Sequence, residues 1–239
     1  MALRRLLKYG EVTSTDYGAY VIGQDVDATP EREYESIVIP GRSGDLHIDK
    51  NRYKNVTIAY TLVILQDGEE RFRGMMNAML AQGGNQRIED TINRDIYRLG
   101  TLRGAVNPSK SFKRDLFKFD LEFDCAPQRW LKEGEKEMAC SGTMTVYNPT
   151  PFRAKPLIIV GASGTGTISI NGIIVQVVQN PGDMVIDCEM EDAYGANSQQ
   201  SYNDKIALNT QYFPWLEPGE NTVVTSGISC TMIPRWWML

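Results

Sequence analysis

The residues of this sequence that could support catalysis are mainly carboxylates. Asp25, Asp27 and Thr29 match the D-x-D-x-T pattern of phosphatases in which an aspartate attacks phosphorus beside Mg²⁺. That reaction needs the nucleophile at the end of a parallel strand. The surrounding sequence has an all-β pattern, and Thr29 leads through a proline into a charged loop. We therefore predict a solvated loop here.

A second acidic cluster, at residues 183–192, could supply the paired carboxylates of a glycosidase. Polar and apolar residues alternate in it, which is typical of a strand with one outer face. Because Asp and Glu are mostly exposed in folded proteins, we predict a solvated strand face and no catalytic residue. The alternation involves Ile186, Asp187, Cys188, Glu189 and Met190.

Metal and phosphate chemistry have little support. The one histidine, His47, has neither a second histidine nor a cysteine pair to complete a zinc site, and the glycines before it favour a loop. Gly161, Gly164 and Gly166 precede a hairpin pattern and lack the Gly-Lys-Ser/Thr of a phosphate-binding loop. We predict no catalytic, cofactor-binding or metal-binding residue.

The cysteines contain no C-x-x-C pair and are too sparse for a disulfide framework. Cys188 and Cys230 occupy apolar positions in alternating segments, which suits small buried side chains. We interpret the cysteines as reduced thiols of a protein made in a cytoplasm. The four are Cys125, Cys140, Cys188 and Cys230.

The tryptophans Trp130, Trp215, Trp236 and Trp237 are more informative. Indole rings stack on sugars and also anchor protein interfaces. Trp236 and Trp237 stand near the end of the chain, and a pair this apolar is expected to be buried against its own domain or a neighbour. The candidate interface or interdomain anchors are Trp130, Trp236, Trp237 and two residues of a predicted helix, Phe72 and Met76.

The composition is that of a globular protein. Of 239 residues, 42% are hydrophobic and 23% are charged, so a core can be buried. The formal net charge is −5 with signs interspersed, which argues against sequence-specific nucleic-acid binding. The uncharged span 156–182 is interrupted by glycines and asparagine, so we expect no membrane insertion, and the N-terminus lacks the apolar run of a signal peptide.

Period-two alternation of apolar residues dominates the chain, most clearly at 56–64 and 117–124. Asn171-Gly172 within 168–175 predicts a hairpin with a type I′ turn. One helix is predicted over 69–81, started by a capping box of Asp67 and Glu70. Its apolar stripe consists of Phe72, Met75, Met76, Met79 and Leu80. Further strands are predicted at 143–147, 156–160, 184–190, 205–209, 221–225 and 228–233.

These elements predict an all-β protein of two domains. The charged segment 132–137 follows the strongest strand, so we place the boundary near residue 135. The N-terminal β domain, residues 1–135, then carries the helix 69–81, and the C-terminal domain, residues 136–239, is a sandwich or jelly roll.

Several segments in order resemble the distal tail proteins (Dit) of siphovirus-type phages that infect Gram-positive bacteria. Together they cover nearly the whole chain, and the ordered set is more specific than any member. They are IPGRSGDL at 39–46, NRYKNV at 51–56, FDCAPQRW at 123–130, YNPT at 147–150, IDCEM at 186–190, DAY at 192–194, PGEN at 218–221 and IPRWW at 233–237.

The resemblance implies two β-sandwich domains, the N-terminal one with a single α-helix and the C-terminal one galectin-like. It implies a non-enzymatic homo-hexameric ring at the virion tail tip, between the major tail tube protein and the tail-associated fibre or lysin protein. The ring would be a baseplate hub for receptor-binding proteins. An acidic charge balance suits a lumen that DNA passes through.

Two alternatives stay open. One is a carbohydrate-binding module that attaches to the host cell wall through its tryptophans, with Trp215 as the residue to test. Galectin sugar sites use a histidine, and His47 lies in the other predicted domain. The second alternative is a glycosidase that uses the carboxylates of 183–192.

Overall fold

The computed structural model describes residues 5–111 and 116–239. The chain divides into two compact units, one running up to Arg129 and including Leu239, and one spanning Trp130–Met238. In the described residues, no helix has the length and apolar character needed to cross a bilayer.

The N-terminal unit consists of strands, one α-helix and a short 3₁₀ helix. The strands are β1 (Leu7–Tyr9), β2 (Val12–Thr13), β3 (Ala19–Asp25), β4 (Arg32–Ile37), β5 (Leu46–Tyr53), β6 (Val56–Ile64), β7 (Gln86–Asp90), β8 (Ile96–Arg103), β9 (Ser109–Ser111) and β10 (Leu116–Cys125). The helix α1 is Gly68–Leu80, and the 3₁₀ helix is Ser14–Tyr17.

The main sheet of this unit has the order β2-β1-β7-β8-β10-β6-β3, with β9 paired to β10. The central pair, β6 and β10, is antiparallel, and its register places buried residues opposite one another, such as Phe119 opposite Leu62 and Phe123 opposite Ile58. The other face of the pair is polar, and Thr61 Oγ1 there donates to Asp120 at 2.6 Å. The predicted one-sided alternation of 56–64 and 117–124 is confirmed.

Helix α1 packs its methionines into the core, where Met75 and Met79 are buried. Two details of the prediction are wrong. Asp67 is the N-cap residue, but its left-handed backbone (φ 50°) directs the side chain away from a cap hydrogen bond among the described residues, so the capping box does not form. Leu80 is 65% exposed, because it lies in the last turn, at the edge of the buried stripe.

The C-terminal unit is built of short strands and two 3₁₀ helices. The strands are β11 (Arg129–Leu131, its first residue in the preceding unit), β12 (Met138–Cys140), β13 (Thr143–Asn148), β14 (Leu157–Val160), β15 (Gly164–Ile170), β16 (Ile173–Asn180), β17 (Met184–Asp187), β18 (Asp192–Gly195), β19 (Ile206–Leu208), β20 (Gly219–Ser226), β21 (Cys230–Ile233) and β22 (Trp237–Met238). The 3₁₀ helices are Lys132–Glu135 and Asn203–Lys205.

Two antiparallel sheets form this unit, ordered β12-β21-β14-β17-β18 and β13-β20-β15-β16-β19. Both contribute to one core, for example Ile158 from the first sheet and Val175 from the second, as in a β-sandwich. The predicted hairpin is confirmed: Asn171 (φ 51°) and Gly172 (φ 87°) connect β15 to β16. The all-β class with one helix is confirmed.

The predicted strand at 184–190 ends early. β17 stops at Asp187, and Cys188, Glu189 and Met190 form a turn. Asp187 is 3% exposed and Met190 is 70% exposed, the reverse of the predicted alternation. Asp187 can be buried because the Arg235 guanidinium pairs with its carboxylate, as described below.

Candidate assembly surface

Several exposed apolar residues of the N-terminal unit lie close together on the hairpin β4–β5. In the described part of the chain, these two strands pair only with each other. Ile37 is directly opposite Leu46, and Ile48 lies on the same face two pairs further along, opposite Glu35. These side chains are 39%, 41% and 45% exposed, and the neighbouring Val38 is 74% exposed. The hairpin therefore presents an apolar surface that its own chain leaves in water.

Ion pairs hold the base of this hairpin. Arg32 pairs with Asp49, and Arg52 contacts Glu33 at 3.2 Å. The hydrogen bond from Arg32 lowers the pKa of Asp49, and the same bond raises the pKa of Arg32. A two-stranded ribbon without a core is only marginally stable in water. These contacts fix the register at the base of the hairpin, whereas the apolar side chains nearer the turn stay partly exposed.

His47 lies on this hairpin, so its interpretation as a loop residue is wrong. The turn containing Gly41 and Gly44 ends before Leu46, and His47 is the second residue of β5. Its Nδ1 is 2.8 Å from the hydroxyl of Ser36, its partner across the strands. It serves as part of the ribbon's polar face.

The two helix residues predicted as anchors face their own unit. The Phe72 ring lies 4.9 Å from that of Phe119 in an edge-to-face arrangement and 6.3 Å from that of Phe117. Met76 is 8% exposed in the same core. An interface role for Phe72 and Met76 stays a prediction, and Leu80 is an exposed large apolar residue of this helix.

The tryptophans near the C-terminus pack within their own unit. Trp236 is 4% exposed in the sandwich core, and its carbonyl accepts the N–H of Leu131 at 2.9 Å. Trp237 stacks on Phe152 at 4.4 Å. Trp130 is half-buried, and its Nε1 has no hydrogen-bond partner within the described residues. The proposed anchoring of neighbours by Trp130, Trp236 and Trp237 stays a prediction.

Trp215 is the residue on which sugar binding would depend. Its Nε1 donates to Glu217 at 2.7 Å, and the Arg153 guanidinium lies 4.9 Å from the centre of its ring. Arg153 also donates to Glu217 at 2.9 Å, and these two hydrogen bonds lower the pKa of Glu217. The indole N–H and one ring face of Trp215 are thus occupied by side chains of the same unit.

The candidate carboxylates do not converge into a catalytic pair. Asp187 accepts two hydrogen bonds from Arg235, at 2.7 and 2.9 Å. Asp25 ends β3, which is antiparallel to β6 rather than part of a parallel sheet, and both Asp25 and Asp27 are exposed. Within residues 5–111 and 116–239, no group of three or more His, Cys, Asp or Glu side chains is placed to hold a metal ion.

Sequence reasoning missed a buried polar cluster beneath β6 and β8. Tyr60 Oη donates to Asp90 at 2.8 Å, and Arg98 donates to the Val26 carbonyl at 3.3 Å. Burial and the Asp90 charge raise the pKa of Tyr60, whereas burial and the charge of Arg129 lower the pKa of Arg98. These groups line a cavity of about 20 Å³, enough for one water. No local pattern identifies them, because they come from distant strands.

Sequence reasoning also missed the apolar hairpin tip. The signal was present as alternating Ile37, Leu46 and Ile48 around a glycine-rich turn. Alternation shows that residues share a face, but it does not show whether the chain covers that face.

These two units define an all-β fold with one helix, the fold of phage tail-tip hub proteins. The SPP1 Dit protein (gp 19.1), described as a paradigm of the hub adsorption apparatus in phages that infect Gram-positive bacteria, matches with a TM-score of 0.71 at 14% identity. The match covers 98% of this chain and 99% of that one. The resemblance to distal tail proteins is thereby confirmed for the fold.

Two structures of the phage P2 baseplate in its activated conformation also match. With Ca the TM-score is 0.51 at 9% identity, covering 97% of this chain and 98% of that one. With Sr it is 0.52 at 10% identity, covering 96% and 97%. Comparison with protein-family models gives no match, and comparison with curated proteins gives none.

Proposed function

We propose that this chain is a structural subunit of a phage tail tip and works by assembling into a ring. The observation that carries the proposal is the end-to-end likeness to a hub protein, with a TM-score of 0.71 over 98% of this chain and 99% of that one. A binding or catalytic function that depends on one site can occur on many folds. A match over the whole chain therefore favours a role that uses the whole structure.

The hairpin β4–β5 supports assembly on physical grounds. Ile37, Leu46 and Ile48 place an apolar face in water on a ribbon that lacks a core of its own. Covering such a face removes apolar surface from water, which favours association by roughly 25 cal/mol per Å². A second copy of the chain is the occupant we propose, because a ring places the same surface of every subunit against its neighbour.

In this proposal the N-terminal domain forms the ring, and the C-terminal domain offers a docking surface for receptor-binding proteins. The ring is a homo-hexamer in the virion tail tip, between the tail tube protein and the tail-associated fibre or lysin protein. The chain performs no catalysis. It acts through the surfaces that it presents to its neighbours.

The test is native mass spectrometry of the full chain over a concentration series, with negative-stain electron microscopy of the same samples. We expect closed rings of six. The double variant Leu46→Lys with Ile48→Glu should remain monomeric at concentrations at which the natural chain assembles, because both changes place charge on the apolar face. A matched control is Tyr147→Glu, which changes an apolar side chain that is 65% exposed in the C-terminal unit and should leave assembly unchanged.

Two results would contradict the proposal. One is a natural chain that stays monomeric up to its solubility limit. The other is specific retention on purified cell-wall glycan that is lost in Trp215→Ala, since this would place the function in a sugar site of the C-terminal unit.

A further inference from the structure

Cys140 and Cys230 face each other across two paired strands of the C-terminal unit. The antiparallel register of β12 and β21 makes them direct partners. Both are buried, with 1% and 6% of their surface exposed, and both are free thiols. They stand 90 positions apart in the sequence and are brought together only by the fold.

The geometry of this pair suits a covalent bond. Directly opposed residues of an antiparallel pair have Cα atoms about 4.5 or 5.5 Å apart, and disulfides usually span roughly 4.4–6.8 Å between Cα atoms. In a disulfide the two Cβ atoms lie about 3.5–4.5 Å apart, whereas directly opposed residues of an ordinary strand pair have Cβ atoms about 4.5–5.5 Å apart. Strand β12 has three residues and lies at the edge of its sheet, so it can move by the required fraction of an ångström.

The Cys140 thiol donates to the Met138 carbonyl at 3.5 Å. The two sulfurs also affect each other's ionisation: the neighbouring Cys230 lowers the pKa of Cys140, and Cys140 raises the pKa of Cys230. Cys140 is therefore the sulfur that ionises first, and the thiolate is the reactive form. The other two cysteines lack this arrangement: burial raises the pKa of Cys125 to about 12, and burial also raises the pKa of Cys188.

A surface cavity of about 340 Å³ lies beside the pair. The residues that line it include both cysteines, Ser141, Ser229 and Thr231, while the cysteine side chains themselves pack in the sandwich core. A cavity of this size admits a peroxide, and β12, at the edge of its sheet, is the strand that would move to expose the sulfurs to it.

We propose that Cys140 and Cys230 form a site of reversible oxidation that closes to a disulfide when the protein meets a peroxide. The Cys140 thiolate attacks one peroxide oxygen, the O–O bond breaks, and the products are a sulfenic acid and water. The Cys230 sulfur then attacks the Cys140 sulfur and displaces the second oxygen as water. Two thiols and one hydrogen peroxide give one disulfide and two waters. The thiols are oxidised, and the peroxide is reduced.

The bond would tie β12 to β21, which lie near the two ends of the unit in the sequence. A cross-link that closes a long loop stabilises mainly by restricting the unfolded chain. A chain reduced in the cytoplasm would thus become more stable after release into an oxidising medium, without a change of fold.

The experiment uses the full chain, treated with hydrogen peroxide under native conditions and then alkylated in denaturant. Peptide mapping by mass spectrometry should find a peptide containing the Cys140–Cys230 bond, with Cys125 and Cys188 still alkylated. Thermal unfolding should occur about 10 °C higher than in the reduced chain, and a phosphine reductant should reverse the shift.

Variants separate the cross-link from general oxidation. Cys140→Ser and Cys230→Ser should each abolish the rise in melting temperature, whereas Cys188→Ser, which removes another buried thiol of the same unit, should retain it. The proposal is overturned if mapping of the natural chain finds Cys140 oxidised to sulfinic acid without a cross-link. It is equally overturned if all four thiols survive peroxide, or if the bond forms and the melting temperature does not rise.

Discussion

The pair of Arg235 and Asp187 allows the sharpest prediction about stability. Asp187 is 3% exposed and accepts two hydrogen bonds from Arg235, as well as the backbone N–H groups of Glu189 at 2.9 Å and Met190 at 3.2 Å. Replacing Arg235 by methionine keeps most of the volume but leaves a carboxylate buried without its cation. We expect Arg235→Met to lower the free energy of unfolding by about 3–5 kcal/mol.

The pH dependence of this loss follows from the pKa of Asp187. Burial alone would raise this pKa, but the hydrogen bonds from Arg235 and the backbone, with the guanidinium charge, bring it below the ordinary value. The natural pair therefore stabilises the fold above the unfolded pKa near 3.9 and loses its effect as pH falls through the lower folded pKa. In Arg235→Met, burial dominates, and the pKa of Asp187 in the folded state lies above its pKa in the unfolded state. The loss of unfolding free energy caused by the substitution should therefore be full at pH 7 and should shrink towards pH 4.

Urea unfolding monitored by tryptophan fluorescence is the appropriate assay, because all four tryptophans lie in the C-terminal unit. A matched control is Lys155→Met, which removes the cation of a surface pair 3.7 Å from Glu191 and should cost under about 1 kcal/mol. If Arg235→Met costs as little as this control, or if its penalty is the same at pH 4 and pH 7, the reasoning is refuted.

Two further predictions concern close packing and a buried hydrogen bond. Gly134→Ala should destabilise the C-terminal unit by roughly 1–3 kcal/mol, because the added Cβ would lie 2.3 Å from the Trp236 backbone nitrogen. The measurement is the same fluorescence assay. The control is Gly161→Ala, since nothing lies within 4 Å of the Cβ added there. Tyr60→Phe should cost about 1–3 kcal/mol in urea unfolding followed by circular dichroism, because Asp90 loses a buried donor. Because the pKa of Tyr60 is raised in the folded state, its contribution to the free energy of unfolding is full below pH 10 and is lost at higher pH. Tyr60→Phe should therefore lose less stability than the natural chain when the pH is raised above 10. An equal loss in both proteins would contradict this reasoning.

The sequence carried much of the fold because local signals agreed with the tertiary structure. Strand β6 spans Val56–Ile64, as its alternation predicts, and the Asn171-Gly172 turn joins the strands that its chemistry requires. The errors arose where distant residues decide the outcome. Nothing near Asp187 reveals that Arg235 will bury it, and the pairing of Cys140 with Cys230 depends on register across the whole unit.

The hairpin β4–β5 has a mechanical consequence through its place in the chain. It is inserted between β3 and β6, which are adjacent in the main sheet, and β6 is paired with β10 at nine consecutive positions from Val56 to Ile64. A pull on the hairpin along the strand direction loads those positions together, as shear, so they cannot yield one at a time. Tension applied at the hairpin is thus transmitted to the β6–β10 pair, which resists it at all nine positions at once.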